Sequence, residues 1–170
     1  MKTSIILLSA LSMTMASFKN IQSEDHLTKA DAAAERMAMN VVSALRHRSL
    51  KEYTVLFPSL EEFLEIMDRN SAFYGPYLKE AKEEFEVHYT KEVLPELNQS
   101  FKSVIAQGIK AGIDWSTIKL VGVEFSEEHK GSTSHALITI SSNGKEHKLE
   151  FEKALFINGE WKVSQYLKFI

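Results

Sequence analysis

Cysteine is absent from this 170-residue chain, so a disulfide, a thiol nucleophile and a lipid-modified cysteine are all excluded. Proline occurs three times and glycine seven times, which is too few for a proline-rich or glycine-rich linker. Neither sign of charge dominates: 20 basic and 23 acidic side chains give a net charge of −3, and no Lys/Arg cluster occurs. Nucleic acid is therefore not expected as a partner.

Long apolar runs are also missing, and the longest, residues 5–11, is far too short to cross a bilayer. We therefore expect no membrane span. This run follows Lys2 and precedes small residues around Ala16, which is the pattern of a secretory signal peptide. We expect a signal peptide over residues 1–16, cleaved near Ala16; the alternative is an ordinary buried first helix. A disulfide-free exported chain favours a periplasmic or secreted bacterial protein.

A single domain is expected after the signal, because about 150 residues are the usual size of one domain. Residues 17–24 should form a flexible lead-in and residues 25–170 one α+β domain. We expect its helices over about 25–111 and its sheet over about 117–169. The composition, 44% hydrophobic and 25% charged, is ordinary for a globular chain.

Apolar stripes and capping residues mark the first helices. Apolar residues at helical spacing up to Leu45 predict a helix over residues 25–47. Ser49 and Ser59 each stand three residues before a glutamate, which is the capping-box pattern. They predict two shorter helices, of which the second should run to about Arg69.

Residues 70–75 are predicted to be a loop, and a long helical pattern follows over residues 76–111. Pro95 interrupts that pattern. Because proline lacks an N–H group and crowds the preceding turn, we expect a kink or break near residues 92–94. Gly112 is placed to end the helix.

Two Asn-Gly pairs, beginning at Asn143 and Asn158, lie between alternating apolar and polar runs and predict two tight β-hairpins. The first turn places Ile138 opposite Leu149, so that two apolar rows share one face of the sheet. An earlier strand, from about residue 117, completes a four-stranded antiparallel meander.

The second hairpin places Phe156 opposite Trp161. Phe156 has the opposite parity to Leu149 on the same strand, so an uninterrupted strand would put the two apolar rows on different faces. A bulge near residues 152–153 would bring the rows onto one face, bend the strand and give a curved sheet with a concave side. The alternative is a straight strand whose end is buried on both sides.

Helices followed by a long bent meander resemble the cystatin-like group of folds, which includes the nuclear transport factor 2-like cone. Two strings, Gly-Ile-Asp-Trp at 112–115 and Phe-Ile-Asn-Gly-Glu-Trp-Lys-Val at 156–163, resemble small exported bacterial proteins of unknown function. The resemblance implies N-terminal helices packed on a curved four-stranded antiparallel sheet. It implies no function, because a fold does not carry one. A full cone has a hairpin between its helices, and the lack of a strand signal over 49–111 favours the simpler layout.

Catalytic machinery is not expected. Cone-shaped enzymes resemble one another in placing an Asp or His in the cavity, whereas the inward rows of this chain are wholly apolar. His147 should lie at the rim of the sheet, and His135 should face Glu152 on the outer side as a polar pair. Two ligands are too few for a metal site. We therefore predict no catalytic residue, no metal and no cofactor.

Aromatic side chains are the strongest candidates for ligand binding, because aromatic residues that line a concavity hold apolar ligands. The alternative is that these large side chains fill the core. The candidates are Trp115, Trp161, Tyr166, Tyr74 and Tyr77.

We therefore expect an exported, non-catalytic binding or accessory domain for an unidentified small apolar ligand or a partner protein. One alternative is a structural or envelope protein without a ligand, expected if helix side chains fill the concave face. A second alternative is a cone-fold enzyme of the isomerase or dehydratase type, which requires a titratable residue with a shifted pKa inside. A homodimer that closes the apolar face against a second copy also stays open.

Overall fold

The computed structural model describes residues 24–125 and 133–170. The signal peptide expected over residues 1–16 and nearly all of the lead-in lie outside the described residues. The α-helices are α1 (Glu24–His47), α2 (Leu50–Val55), α3 (Leu60–Arg69), α4 (Ser71–Tyr74), α5 (Leu78–His88) and α6 (Leu94–Lys110). Shorter turns are the 3₁₀ turns Gly75–Tyr77 and Trp115–Thr117 and the π turn Tyr89–Val93. The strands are β1 (Lys119–Phe125), β2 (Thr133–Ser142), β3 (Lys145–Ile157), β4 (Glu160–Val163) and β5 (Lys168–Phe169).

Helix α1 carries the apolar stripe that the sequence predicts, with Val41 and Leu45 fully buried in the main core. Arg48 then takes a φ of 51°, the left-handed conformation that commonly ends a helix. One guanidinium nitrogen of Arg46 donates to the Ile118 carbonyl at 2.6 Å. This bond fixes the end of α1 against the entry to the sheet.

The two predicted capping boxes differ. The box at Ser59 is complete, because its hydroxyl accepts from the Glu62 N–H and the Glu62 carboxylate accepts from the Ser59 N–H. At Ser49 only the first half forms: the hydroxyl accepts from the Glu52 N–H, while the Glu52 carboxylate turns to His47. The predicted start of α2 is confirmed, but the prediction of a complete capping box at Ser49 is wrong.

Residues 59–93 form a helical arm in which α3 packs against α5, with α4 and a 3₁₀ turn at the tip. The arm has a buried cluster of its own, built on Met67, Phe85 and Tyr89. The Tyr89 hydroxyl donates to the Pro58 carbonyl at 3.2 Å and closes the base of the arm. The arm is therefore held together largely by its own side chains.

The predicted loop over residues 70–75 is wrong, because α4 and the start of a 3₁₀ turn occupy it. The Asn70 side-chain amide donates to the Ile66 carbonyl at 2.7 Å, and its backbone N–H caps the same last turn of α3. The chain therefore reverses around one residue and resumes as helix. Gly75, at a φ of 55°, then redirects it toward α5.

The predicted kink before Pro95 is confirmed as the π turn Tyr89–Val93, directly before α6. Proline has no N–H to donate to the carbonyl four residues earlier, and its ring crowds that carbonyl, so the helix widens there. Beyond it α6 buries one stripe, Leu97, Phe101, Val104 and Gly108.

The strands form one antiparallel sheet in the order β1-β2-β3-β4, with β5 paired to β3 beside β4. Both Asn-Gly turns form as predicted, with positive φ at all four residues. The predicted pairings are confirmed: Ile138 opposite Leu149, and Phe156 opposite Trp161.

The predicted bulge in β3 is confirmed. The three-residue step from Phe151 to Ala154 lies opposite the two-residue step from Ala136 to Ser134, so β3 carries one extra residue. Both residues of the bulge, 152 and 153, are exposed. Phe151 and Ala154 consequently point into the same buried face.

The end of β3 is buried on its outer face as well. Leu155 and Ile157 form a small cluster with Ile66 of α3. The alternative of two-sided burial was therefore correct for the strand end, although the strand is not straight.

The last predicted strand is divided into β4 and β5. Between them the Val163 N–H donates to the Leu56 carbonyl at 2.8 Å, and the Leu167 N–H donates to the Tyr53 hydroxyl at 3.3 Å. The Ser164 N–H still donates to the Lys153 carbonyl of β3, and pairing with β3 resumes only at Lys168. The expected four-stranded meander therefore gains a short fifth strand.

Helix side chains fill the concave face of the sheet. The inward side chains of β2 and β3 are fully buried and belong to one cluster with the inward stripes of α1 and α6. The members from the sheet are Ala136, Ile138, Ile140, Leu149, Phe151 and Ala154, and those from the helices include Val41, Leu45, Leu97 and Val104.

Gly108→Ala should destabilise the protein, because a Cβ atom at this position would overlap the indole ring of Trp115. Helix propensity alone favours alanine by about 1 kcal/mol, but overpacking a core costs about 1–3 kcal/mol. We expect the free energy of unfolding in urea to fall. Gly122→Ala is the control, since its added Cβ meets no atom within 4 Å. Equal stability of the Gly108→Ala variant and the wild type would contradict this packing.

Candidate functional site

The five predicted ligand-binding aromatic residues do not converge on one site. Tyr74 and Tyr77 lie at the tip of the helical arm, whereas Trp115, Trp161 and Tyr166 belong to the body. The candidate residues therefore lie in separate clusters, and their role in ligand binding stays a prediction.

Trp115 is a core residue. Its side chain is fully buried against Gly108 of α6, where the missing side chain leaves room for the indole. The indole N–H donates to the Ile105 carbonyl at 3.0 Å, so the polar atom of the ring is satisfied inside the protein. This residue closes the end of α6 onto the sheet and has no exposed surface for a ligand.

Trp161 lies in an aromatic cluster at the mouth of the curled sheet. Its ring is 4.8 Å from that of Phe125 and 5.2 Å from that of Phe156, measured between centroids. Phe125 is on β1 and Trp161 is on β4, so the curl brings the first and fourth strands of the sheet together. All three side chains are half-buried, and they form an apolar rim beside the filled core.

Buried hydroxyl groups form a second candidate site between α2, α6 and the connection from β4 to β5. Tyr53 is fully buried, and its hydroxyl bonds to Ser100 and accepts the Leu167 N–H. The Tyr166 hydroxyl donates to the Glu96 carboxylate. Burial raises the pKa of Tyr53; burial, followed by the Glu96 hydrogen bond, raises the pKa of Tyr166. Both hydroxyls stay protonated at neutral pH and act as hydrogen-bond donors rather than bases.

The tip of the helical arm presents aromatic surface to solvent. Phe73 is 57% exposed and Tyr77 is 69% exposed, while Tyr74 is half-buried. The Phe73 and Tyr74 rings meet edge to face at a centroid distance of 5.3 Å. Two exposed rings within five residues form the arm tip, which Tyr74 anchors to the buried cluster of the arm.

A serine, a histidine and a glutamate meet at the end of α1 without the geometry of a hydrolase triad. The Glu52 carboxylate lies 3.2 Å from Nδ1 of His47, and the Ser43 hydroxyl donates to the same carboxylate at 3.0 Å. The Ser43 hydroxyl is also nearest to Nδ1, so it does not face the nitrogen that would take its proton. The hydrogen bond from His47 lowers the pKa of Glu52. The three side chains therefore form a polar cluster on the surface at the start of α2.

The predicted pair of His135 with Glu152 is wrong. His135 bonds to Glu150 at 2.7 Å, and Glu152 pairs with Lys168. The bulge is the reason, because the register that would have set Glu152 opposite His135 breaks at that point. His147 lies opposite Ile140 near the hairpin turn, as predicted.

Two further findings bear on chemistry. Among the described residues, no three side chains of the metal-binding kinds come together. None of the helices over residues 24–125 is both long enough and apolar enough to cross a membrane.

Several members of these clusters were missed as candidate site residues. Phe125 and Phe156 lie in predicted strands, and nothing near them in the sequence indicates that they share a cluster. Their contact with Trp161 depends on how the strands pair and curl. Tyr53 lies in a short helix, where nothing local indicates its bond to Leu167. Phe73 was not chosen, although it lies just before Gly75 and Pro76, which mark a turn at the surface.

Comparison with known proteins supports the fold. No family model matches the chain, and no curated protein matches its sequence. A crystal structure of a cystatin-like protein from Ruminococcus gnavus ATCC 29149 is similar, with a TM-score of 0.51 and 13% sequence identity. The match covers 89% of this chain and 48% of that one, so this chain spans about half the length of its structural neighbour. The fold is therefore cystatin-like, with helices followed by a curled antiparallel sheet.

Alkaline pH should destabilise the protein through Tyr166. Its pKa is raised in the folded state, whereas an unfolded tyrosine ionises near about pH 10. Above that pH the unfolded chain loses a proton that the folded chain keeps, so stability falls as pH rises. In Tyr166→Phe, we expect a smaller loss of unfolding free energy between about pH 8 and about pH 11. Equal slopes for Tyr166→Phe and the wild type would refute the assignment.

Proposed function

We propose that this protein is an exported, non-catalytic binding domain whose partner is another protein. The exposed aromatic tip of the helical arm carries this proposal. Phe73 and Tyr77 are more than half exposed, although each could bury a large apolar area. Neighbouring exposed aromatic residues are typical anchors of protein interfaces.

The filled concave face argues for a protein rather than a small apolar ligand. Ile138, Leu149 and Phe151 are fully buried against the helices, so the inward surface that a ligand would need is already covered. Only the half-buried rim around Trp161 remains available there. The largest apolar side chains still open to contact belong to the arm.

The hydroxyl site favours a non-catalytic role. Isomerases and dehydratases need a group that accepts a proton near neutral pH. Tyr53 and Tyr166 both have raised pKa values and remain protonated, so they hold structure instead. Each hydroxyl is also engaged in a hydrogen bond: that of Tyr53 accepts the Leu167 N–H, and that of Tyr166 donates to the Glu96 carboxylate.

Export is supported by the N-terminal pattern alone. A lysine at residue 2, a mostly apolar run over residues 5–11 and small residues up to Ala16 match a signal peptide. The proposed location is the periplasm or the outside of a bacterial cell.

A structural protein without a ligand is the second candidate. The filled concave face favours it, because such a protein needs only a stable core. The two candidates differ at the arm: a structural protein has no partner for Phe73 and Tyr77, whereas a binding domain does.

Photo-crosslinking in the source cells separates these candidates. With p-benzoylphenylalanine in place of Tyr77, we expect an adduct of one defined protein mass. The matched control places the same group at Ile109, which is 52% exposed on α6, outside the arm. An adduct at Tyr77 alone is the expected result.

Two outcomes would contradict the proposal. The absence of a protein adduct at Tyr77, or the same adducts at both positions, would favour the structural candidate. A small molecule that native mass spectrometry finds on the protein, and that denaturation releases, would favour the ligand-binding reading.

A further inference from the structure

The outer face of the helical arm is defined here by Phe73, Tyr77, Glu80, Glu84 and Val87. From Tyr77 onward these residues recur at spacings of three and four, so they share one side of α5. All five are exposed, including Val87 at 52%. The opposite side of α5 supplies Leu78, Ala81 and Phe85 to the buried cluster of the arm.

The inner side of α5 stabilises the arm, so the outer face is available to contact another molecule. Phe85 and Tyr89 hold α5 to α3 from the inside. Tyr77 and Val87 contribute little to that packing, because most of their surface is in solvent. An apolar residue that does not stabilise the arm gains its burial only when another molecule covers it.

Charge is distributed unevenly between the arm and the rest of the chain. Residues 59–93 contain nine acidic and four basic side chains, a net charge of −5, whereas the whole chain carries −3. The remainder is therefore weakly positive, at +2. A mildly acidic chain thus concentrates its negative charge on the segment that also exposes its aromatic residues.

Ion pairs inside the protein leave part of this negative charge uncompensated. Four pairs form within the arm, one of them through a histidine: Arg69 with Glu65, Lys79 with Glu83, Lys82 with Asp68, and His88 with Glu92. A fifth pair, Lys162 with Glu62, joins the arm to β4. Glu80 and Glu84 have no ion-pair partner among the described residues. These two carboxylates lie between Tyr77 and Val87 on the outer face.

We infer that the outer face of the arm binds a positively charged protein segment that carries apolar side chains. This inference rests on the proposed function and names the chemistry of the partner. Aromatic anchors would supply most of the affinity, and the carboxylates would steer the encounter and select lysine or arginine. The same charge repels anionic lipid surfaces and nucleic acid.

Selection from a displayed library of random peptides tests the inference on the full mature chain. We expect enriched peptides to have a net positive charge and at least one aromatic or aliphatic residue. One such peptide, synthesised with a fluorescein label, would then be titrated by fluorescence anisotropy at low and high salt. Its affinity should fall as salt rises, because exposed charges are screened.

Paired variants locate the site. Phe73→Ser with Tyr77→Ser should weaken binding at least about tenfold, which corresponds to about 1.4 kcal/mol. Glu80→Lys with Glu84→Lys should weaken it by a similar factor and abolish its salt dependence. The matched control, Ile109→Ser with Glu146→Lys, alters one exposed apolar and one exposed acidic residue outside the arm and should bind as the wild type does. Circular dichroism of each variant checks that the helices are retained.

The outcomes separate this inference from the proposed function. Enriched peptides that are neutral or acidic but depend on Tyr77 would overturn the charge assignment and leave the binding domain intact. Unchanged affinity in both arm variants would overturn the site. No enrichment, together with no adduct at Tyr77 in cells, would overturn both proposals. Arm-dependent flotation with anionic phospholipid vesicles, or arm-dependent self-association in sedimentation, would replace the inferred partner with a membrane or a second copy.

Discussion

The extra residue in β3 is the constraint on which the body of this protein depends. Side chains alternate along a strand, so Leu149 and Phe151 could not share a face with Ala154 unless the parity changed between them. The bulge at residues 152–153 makes that change and bends the strand. A second register shift, between Leu120 and Gly122 of β1, adds to the irregularity of the sheet. The sheet curls until the ring of Phe125 on the first strand meets that of Trp161 on the fourth. The extra residue in β3 thus sets which side chains of that strand face the core.

The helices respond to that shape by filling it. Gly108 lets the indole of Trp115 lie directly on α6, and the inward stripes of α1 and α6 cover the concave side. A cystatin-like fold can accommodate many functions, so function has to be sought in surfaces that this packing leaves open. The helical arm is such a surface, because its own cluster around Phe85 stabilises it while Phe73 and Tyr77 remain exposed.

Features with a local cause could be predicted from the sequence, and features with a distant cause could not. The Asn-Gly turns and the π turn before Pro95 follow from backbone chemistry within a few residues. The connection between β4 and β5 bonds to the Tyr53 hydroxyl, which is 114 positions from its partner Leu167. The candidate site shows the same limit, because the sequence shows which residues are aromatic but not which of them are exposed. Trp115 is buried against Gly108, whereas nothing covers most of Tyr77. Whether a distant part of the chain covers an aromatic side chain cannot be read from the composition.

Deletion of Lys153 tests the central claim most directly. It removes the extra residue, so that the side chains beyond it in β3 would point to the opposite face of the sheet. Ala154 and its partner Val163, which are both fully buried, would then turn outward. The measurement is the free energy of unfolding in urea, beside Lys153→Ala, which keeps the register and should stay within about 0.5 kcal/mol of the wild type. We predict a loss of about 3 kcal/mol or more on deletion, because buried residues would be turned to solvent. After the deletion the apolar side chains of Leu155 and Ile157 would turn inward instead. A deletion variant as stable as the wild type would show that the bulge does not organise the core.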